Sequence, residues 1–169
     1  MQIVLGSRGD YSVRAVLYLA RHPGRQSRRA IAEAMDIPAK YLPQILASLV
    51  RAGVARSSPG RLGGYVLDRP PESISLREVV EIAEGPIEAQ KCMLRGGPCY
   101  WGEKCALHDS WSAAQGALVD RLARTTFADL ARADWELEQV SSARAVPGSP
   151  RPPHDPAVHR RERGDRAAD

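Results

Sequence analysis

Three cysteines within 14 residues are the side chains of this chain best suited to chemistry. Cys92, Cys99 and Cys105 are the only cysteines in the 169-residue sequence. An odd number of clustered thiols argues against a structural disulfide framework and indicates a metal centre or a thiol switch. Thiolates bind zinc, and they are the usual ligands of the iron atoms in iron–sulfur clusters.

The spacing of these cysteines favours an iron–sulfur cluster over zinc. Six residues separate Cys92 from Cys99 and five separate Cys99 from Cys105, whereas zinc sites usually pair cysteines two to four residues apart. Longer spacers on a glycine-rich loop suit a larger inorganic group, and Lys91, Arg95 and Lys104 would offset its negative charge. A zinc site and a metal-free thiol switch that uses sulfenate or disulfide chemistry remain alternatives.

The charge of the chain is divided between its two halves. Residues 1–70 carry 11 Lys and Arg against 4 Asp and Glu, whereas residues 71–139 carry 7 against 12. A basic first half suggests a polyanionic partner such as nucleic acid. The sequence has neither a stretch of about 20 apolar residues nor a secretory signal, so we expect a cytoplasmic protein that binds no membrane.

Hydrophobic periodicity in the first half predicts a helix-turn-helix. Residues 11–20 form an apolar helix that Asp10 could cap, and Ser27 is placed to cap a second helix. After a break at residues 36–38, residues 39–53 place apolar side chains on one helical face. Two short helices joined by a tight turn, the second with a polar outer face, are typical of DNA-binding proteins.

A short hairpin follows these helices. Residues 54–57 and 65–67 are predicted to be strands, joined by the Gly- and Pro-rich sequence SPGRLGG. The expected fold class is therefore mainly α with a small β wing: a winged helix-turn-helix domain plus a long dimerisation helix.

This fold predicts the residues that contact double-stranded DNA. The start of the second helix of the pair would read bases in the major groove, the start of the first would lie near phosphates, and the wing would contact phosphates or the minor groove. Ordinary solvated charges are the alternative. We also expect Pro43 to tighten or distort the first turn of the reading helix. The predicted contacts are Ala39, Lys40, Tyr41 and Gln44 for bases, Arg28 and Arg29 for the backbone, and Arg56 and Arg61 on the wing.

The sequence divides into four segments. Residues 1–86 form the winged helix-turn-helix domain, in which Ser75 and Glu78 match a capping box, and residues 87–108 form the cysteine loop. Residues 109–139 form an amphipathic helix and a short terminal helix over residues 126–133. Residues 140–169, rich in Pro and Arg, are predicted to be a disordered tail.

Together these motifs resemble one family. The run IAEAMDIPAKYLPQILASLVRAGVARSSPGRLGGYVLDRPPESISLREVVEIAEG, the YSVRA that precedes it and the later Cys92…Cys99…Cys105…His108…Trp111 are similar to the IscR/NsrR-type (Rrf-two) winged-helix regulators. The resemblance implies a homodimer on a palindromic operator, usually a repressor, whose cluster changes its DNA affinity. The hypothesis for the dimer contact is one stripe of the amphipathic helix, made of Trp111, Ala114, Leu118 and Leu122.

Three cysteines leave a fourth cluster ligand to be found, and the resemblance offers two candidates. His108 matches the histidine of IscR-like members, which bind a 2Fe–2S cluster. Asp10 matches the aspartate of NsrR-like members, which reaches a 4Fe–4S cluster from the partner subunit. Their plain alternatives are a helix cap for Asp10 and an ordinary polar residue for His108. Because His108 is local to Cys105, we favour it slightly, and with it a 2Fe–2S cluster.

An enzyme is the first alternative function, but the sequence argues against it. It contains no CxxC pair, no paired-carboxylate motif and no phosphate-binding glycine loop, so we expect neither catalysis nor a small-molecule substrate. A second alternative is a winged helix that binds protein rather than DNA. The expected function is a DNA-binding regulator, with redox state, nitric oxide or iron–sulfur status as the signal.

Overall fold

The computed structural model describes residues 5–60, 63–87 and 105–144, with side chains up to residue 140. Its helices are α1 (Ser7–Arg21), α2 (Arg28–Ala34), α3 (Leu42–Arg51), α4 (Leu76–Glu84), α5 (His108–Arg124) and α6 (Phe127–Arg144). Two strands, β1 (Ala55–Ser58) and β2 (Gly64–Leu67), and a short 3-10 helix (Pro71–Ser73) complete the described elements. The fold is thus mainly α with a small β wing, as the sequence predicted.

Helices α1–α4 and the two strands pack around one core, and we call this part the winged-helix head. The apolar face of each helix repeats every three to four residues, so it meets the others in the centre. Residues 1–132 form one compact unit and residues 133–169 a second. The largest fully buried side chains of the first unit are Val16, Ile31, Leu42, Leu46, Leu49, Val54, Ile74, Val79 and Phe127.

The helix pair α2–α3 starts and stops where local chemistry requires it. The Ser27 hydroxyl accepts a hydrogen bond from the Ala30 amide (3.1 Å), which confirms the predicted cap. Asp36, with φ of 50°, makes the tight turn after α2, and Ile37 is buried beside it. The predicted break between the two helices is therefore confirmed.

The wing is an antiparallel hairpin in which Ala55 pairs with Leu67 and Ser58 with Gly64. Gln26 adds a bridge to Tyr65, with both backbone hydrogen bonds at 2.9 Å. A side chain at Gly64 would lie 2.7 Å from the Gln26 carbonyl oxygen, so glycine is needed where β2 passes this close to the chain before α2. The wing is thus tied to the start of the helix-turn-helix.

Two expectations about helix starts were wrong. Helix α1 begins at Ser7 with Gly6 as its N-cap, so Asp10 lies inside its first turn and does not cap it. Helix α3 begins at Leu42 rather than at residue 39. Pro43 is then its second residue, where the missing amide hydrogen has no intrahelical partner to lose.

Two further expectations need correction. The Ser75 hydroxyl caps α4 by accepting from the Glu78 amide (3.1 Å), but the Glu78 carboxylate pairs with Arg69 instead of completing a capping box. Helix α6 has 18 residues and is not short: it continues to Arg144, past the start of the predicted tail at residue 140. The remainder of the tail, from residue 145, lies outside the described residues.

Candidate nucleic-acid interface and cysteine loop

The approach to α3 presents most of the predicted base-contacting side chains to solvent. Ala39, Lys40 and Gln44 are exposed, although Ala39 and Lys40 lie in the turn before the helix rather than on it. Tyr41 is half-buried rather than exposed, because its ring stacks on Tyr11 of α1 with centroids 6.0 Å apart. The Lys40 ammonium lies 4.8 Å from the Tyr41 ring centroid. Packing therefore holds the Tyr41 ring in place beside the exposed side chains of Lys40 and Gln44.

An open groove separates the start of α3 from the wing. Its volume is about 890 Å³, and it is lined by α2, by the first residues of α3 and by the loop of the hairpin. Arg28 and Arg29 line it from α2 and are exposed, and the Arg29 Nε donates to the Glu33 carboxylate at 2.7 Å. The groove is thus lined by two arginines, the Glu33 carboxylate that pairs with one of them, and backbone and small side chains.

The wing carries one of its two predicted cations within the described residues. Arg56, with a side chain 67% exposed, lies 3.6 Å from the Asp68 carboxylate. Such a distant exposed ion pair is weak, so Arg56 can exchange Asp68 for a phosphate at little cost. Arg61, the second predicted cation, lies outside the described residues. Gly60, with φ of 99°, provides the turn after β1.

Of the cysteine loop, the structure describes its last part. Cys105 is half-buried, and its carbonyl oxygen accepts a hydrogen bond from the amide of His108 (3.0 Å). That turn brings the half-buried His108 to the first position of α5, three residues after a thiol. Cys92 and Cys99 lie outside the described residues. Within residues 5–60, 63–87 and 105–144 there is no group of three or more potential metal ligands.

The other candidate ligand, Asp10, already has a strong partner. Its carboxylate accepts from the Arg14 Nε at 2.9 Å and also contacts the Arg14 Nη2. The Arg14 Nη1 donates to the Met35 carbonyl oxygen (3.0 Å), at the end of α2. Asp10 could bind a metal only if this pair opened, whereas His108 needs no such rearrangement. Because His108 has no such ion pair to break within the described residues, three cysteines with His108 fit an iron–sulfur cluster better than three cysteines with Asp10 do.

Glu84, whose role was not predicted from the sequence, connects the end of α4, just before the cysteine loop, to α1. Its carboxylate accepts a hydrogen bond from the Gly9 amide at 2.7 Å, although the two residues are 75 positions apart. A side chain at Gly9 would lie 2.8 Å from the same carboxylate, so any larger residue there would displace Glu84 from the amide. The sequence did contain one signal for this contact. A carboxylate such as Glu84 is unfavourable at the C-terminus of its own helix, which suggests a partner elsewhere, and the N-terminus of another helix is a favourable one.

Helix α5 buries little of the stripe predicted to contact a partner. Ala114 and Leu118 are exposed, the latter at 37%, while Trp111 and Leu122 are half-buried. Val119, on the flank of the stripe, is the one buried residue of this helix. Backbone hydrogen bonds fix the end of α5, since the Leu76 amide donates to the Thr125 carbonyl (2.8 Å) and the Phe127 amide to that of Ile74 (2.9 Å). The stripe is therefore anchored but largely open.

No described helix is long and apolar enough to cross a membrane. This finding covers the part of the chain that the structure describes.

Comparison with known proteins agrees with this geometry. Residues 5–133 match the Rrf2 family, described as iron-dependent transcriptional regulators. The HTH-type transcriptional regulator IscR of Escherichia coli is 31% identical over 149 residues, which cover 87% of this chain and 91% of that protein.

Solved structures show the same arrangement. CymR, the global cysteine regulator of B. subtilis, has a TM-score of 0.67 and 28% identity, over 78% of this chain and 98% of that one. IscR of T. potens has a TM-score of 0.61 and 26% identity, over 88% and 96% respectively. These relatives are transcriptional regulators and not enzymes. The chain belongs to the Rrf2 family of winged-helix, DNA-binding transcriptional regulators.

Proposed function

We propose that this regulator is a cytoplasmic homodimer that binds a palindromic operator through α3 and the wing and acts as a repressor. A cluster held by Cys92, Cys99 and Cys105 would control that binding. The observation that carries the proposal is the groove between α3 and the wing, with exposed Arg28 and Arg29 on one side. Cations beside a groove open to solvent are placed for the phosphates of a duplex whose bases face Gln44.

Dimerisation is supported by the open stripe on α5. Exposed Ala114 and Leu118 and half-buried Trp111 and Leu122 form an apolar stripe on a helix whose C-terminal end is fixed. Exposed apolar surface of this kind marks an interface with another protein. A second copy of the chain would cover it symmetrically and place two α3 helices on successive turns of the duplex, as a palindromic operator requires.

For the cluster, the donors are three thiolates with His108 as the preferred fourth ligand and a 2Fe–2S cluster as the preferred form. The group would supply reactivity toward oxidant, nitric oxide or iron shortage. Support comes from Cys105 and His108, which one backbone hydrogen bond holds in the same turn at 3.0 Å. Similarity to IscR, and membership of a family described as iron-dependent, point the same way.

Described contacts run from the start of the loop to α1 and on to the end of α2. At the loop's start, the Ile87 amide donates to the Glu81 carboxylate (3.1 Å), and Glu84 holds Gly9 of α1. From α1, Arg14 reaches the end of α2. A change of loop position after the thiolates release their ligand would thus act on α1 and on the helix pair. A coupling of about 1–3 kcal/mol would change operator affinity by roughly 5- to 150-fold.

The test of the proposal uses the full chain purified without oxygen. We expect a brown protein containing iron and acid-labile sulfide, and alanine at Cys92, Cys99 or Cys105 should abolish the colour. Glu88→Ala, which changes a loop residue with no proposed role in holding the cluster, is the matched control and should stay coloured. A colourless protein that contains zinc, or no metal, would contradict the cluster and leave the zinc site or thiol switch.

The DNA part of the proposal is tested separately. Binding of the same protein to duplex from its own upstream region should weaken steeply as salt increases, because Lys and Arg release counterions from phosphates. Arg28→Ala should lower affinity at all sequences and reduce the salt slope by about one. Binding that does not depend on salt would instead support a protein-binding winged helix.

A further inference from the structure

The outer face of the reading helix carries a line of small apolar side chains. Ala39, Pro43 and Ala47 are all exposed. Pro43 and Ala47 lie four residues apart and so share one face of α3, and Ala39, in the turn before the helix, lines the same groove as Pro43. The opposite face is the one that packs in the core, through Leu42, Ile45, Leu46 and Leu49. We call the three exposed residues the apolar line.

A polar line runs next to it. Lys40 and Gln44 each follow one member of the apolar line and are exposed. Arg51 lies at the far end of α3, where its Nη2 donates to the Ser48 hydroxyl at 3.0 Å. Over residues 38–52, which are all described, the cations are Lys40 and Arg51, one at each end. The middle of the reading surface is therefore apolar and amide, not cationic.

This combination matches one kind of base pair. In the major groove an A·T pair presents the thymine 5-methyl group together with the N6 donor and N7 acceptor of adenine. Apolar side chains contact the methyl group, and glutamine pairs with N6 and N7. Guanine is read chiefly by Arg or Lys. Lys40 could read a guanine at the start of the surface, but residues 41–50, which include Pro43, Gln44 and Ala47, contain neither residue type.

Pro43 is well suited to such a contact. As the second residue of α3 it loses no intrahelical hydrogen bond, and its ring has no side-chain rotamer freedom to lose on binding. Ala39 and Pro43 line the groove together with Arg28 and Arg29. Phosphate contacts from α2 would thus fix the depth at which the apolar line meets the bases.

We infer that α3 reads A·T base pairs through the thymine 5-methyl group, which the apolar line contacts while Gln44 pairs with adenine. Pro43 is then a specificity-determining residue. The inference rests on the proposed function, because it requires α3 to enter the major groove.

The experiment first identifies what the protein selects. The full chain, purified without oxygen, is used to enrich bound duplexes from a random pool. Each thymine of the enriched half-site is then replaced by deoxyuridine, which removes the methyl group and leaves the hydrogen-bonding groups unchanged. We expect an A·T step in each half-site, with affinity about fourfold weaker for each contacted methyl group, from about 0.8 kcal/mol per buried carbon.

Variants assign the contact to a residue. For Pro43→Ser, replacing one particular thymine by deoxyuridine should no longer lower the affinity, because the proline ring that contacts its methyl group is already absent. Ala52→Ser, an exposed change at the end of α3, is the matched control and should retain the full loss. Comparing the four protein–DNA combinations isolates the contact from any general weakening.

The outcomes separate this inference from the proposed function. An enriched sequence that binds equally well with thymine and deoxyuridine overturns the inference and leaves DNA reading intact. The inference is also overturned if the Pro43→Ser protein still loses affinity at every thymine that is replaced by deoxyuridine. If no sequence is enriched and binding does not depend on salt, the proposed function fails and the inference fails with it.

Discussion

The winged-helix head buries most of its large apolar side chains, whereas α5 and α6, apart from Val119 and Phe127, leave theirs exposed or half-buried. In the head, large side chains from every helix are fully buried, among them Ile31 and Leu46. In the 17 residues of α5 only Val119 is buried, and on α6 Trp135 and Leu137 are 57% and 65% exposed. The core of the head is formed within one chain, whereas under the proposed function a second copy of the chain covers the open surface of α5. The proposal therefore assigns DNA reading to a well-packed domain and its control to a surface shared between subunits.

The largest effect we expect comes from the same substitution in the two regions. Leu46→Ala removes a fully buried side chain and leaves a cavity, so it should lower the free energy of unfolding by about 2–5 kcal/mol. Leu137→Ala, at 65% exposure, should change it by less than about 0.5 kcal/mol. Urea unfolding of both variants measures the difference, and equal losses would contradict the contrast between the regions.

A charge on the open stripe of α5 tests what completes it. Leu118→Asp should weaken dimerisation by roughly 30-fold, about 2 kcal/mol, because the carboxylate would be buried without a partner. Ala113→Asp places the same charge on the opposite, exposed side of α5 and should leave the dimer intact. Sedimentation over a range of concentrations distinguishes them. A Leu118→Asp protein that remains as dimeric as the wild type would rule out this face as the interface.

The link between loop and head should have a smaller effect. In Gly9→Ala the added carbon would lie 2.8 Å from the Glu84 carboxylate and displace it from the Gly9 amide. Because the clashing atoms are the far end of an exposed, flexible side chain that can move aside, we expect a loss in stability of about 0.5–1.5 kcal/mol, the value of the hydrogen bond that is lost. Glu84→Gln keeps an acceptor but removes the charge from the α1 N-terminus, so it should cost only about 0.3–1 kcal/mol. If thermal melts show the reverse order, the carboxylate is not held at Gly9.

The smallest effect concerns the cap of α6. The Thr126 hydroxyl and amide both donate to the Asp129 carboxylate, and these hydrogen bonds lower the pKa of Asp129 below its usual value. The stabilisation is therefore complete at neutral pH and is lost as pH falls through the lowered pKa. Asp129→Asn should be slightly less stable than the wild type at pH 7, and the difference should shrink as pH falls through the lowered pKa of Asp129. A difference that stays constant from pH 7 to pH 2.5 would contradict this account.

Local sequence signals predicted the elements of the head well. Ser27 and Ser75 both cap helices as their types and positions indicated, and the Gly- and Pro-rich hairpin is the wing. Such signals work because a cap or a tight turn is decided by a few neighbouring residues. The fold class followed from them, since two short helices and a wing have few ways to pack.

Contacts between distant residues could not be read from the sequence. Asp10 was expected to cap α1, but it binds Arg14, because Gly6 and the distant Glu84 already serve the helix start. The bridge from Gln26 to Tyr65 has no local signature either. The length of α6 was missed because its last turns lack an apolar period, although residues such as Ala, Glu and Arg favour helix. Cys92, Cys99 and Arg61 remain predictions.

The central claim is that thiolates in the loop control the affinity of α3 and the wing for DNA. The most direct measurement compares operator affinity of the full chain, purified without oxygen, before and after its iron is removed by a chelator. Cys99→Ala serves as the form that never binds iron. The account predicts a change of roughly 5- to 150-fold, with Cys99→Ala matching the iron-depleted protein. Equal affinity in all three forms would contradict it.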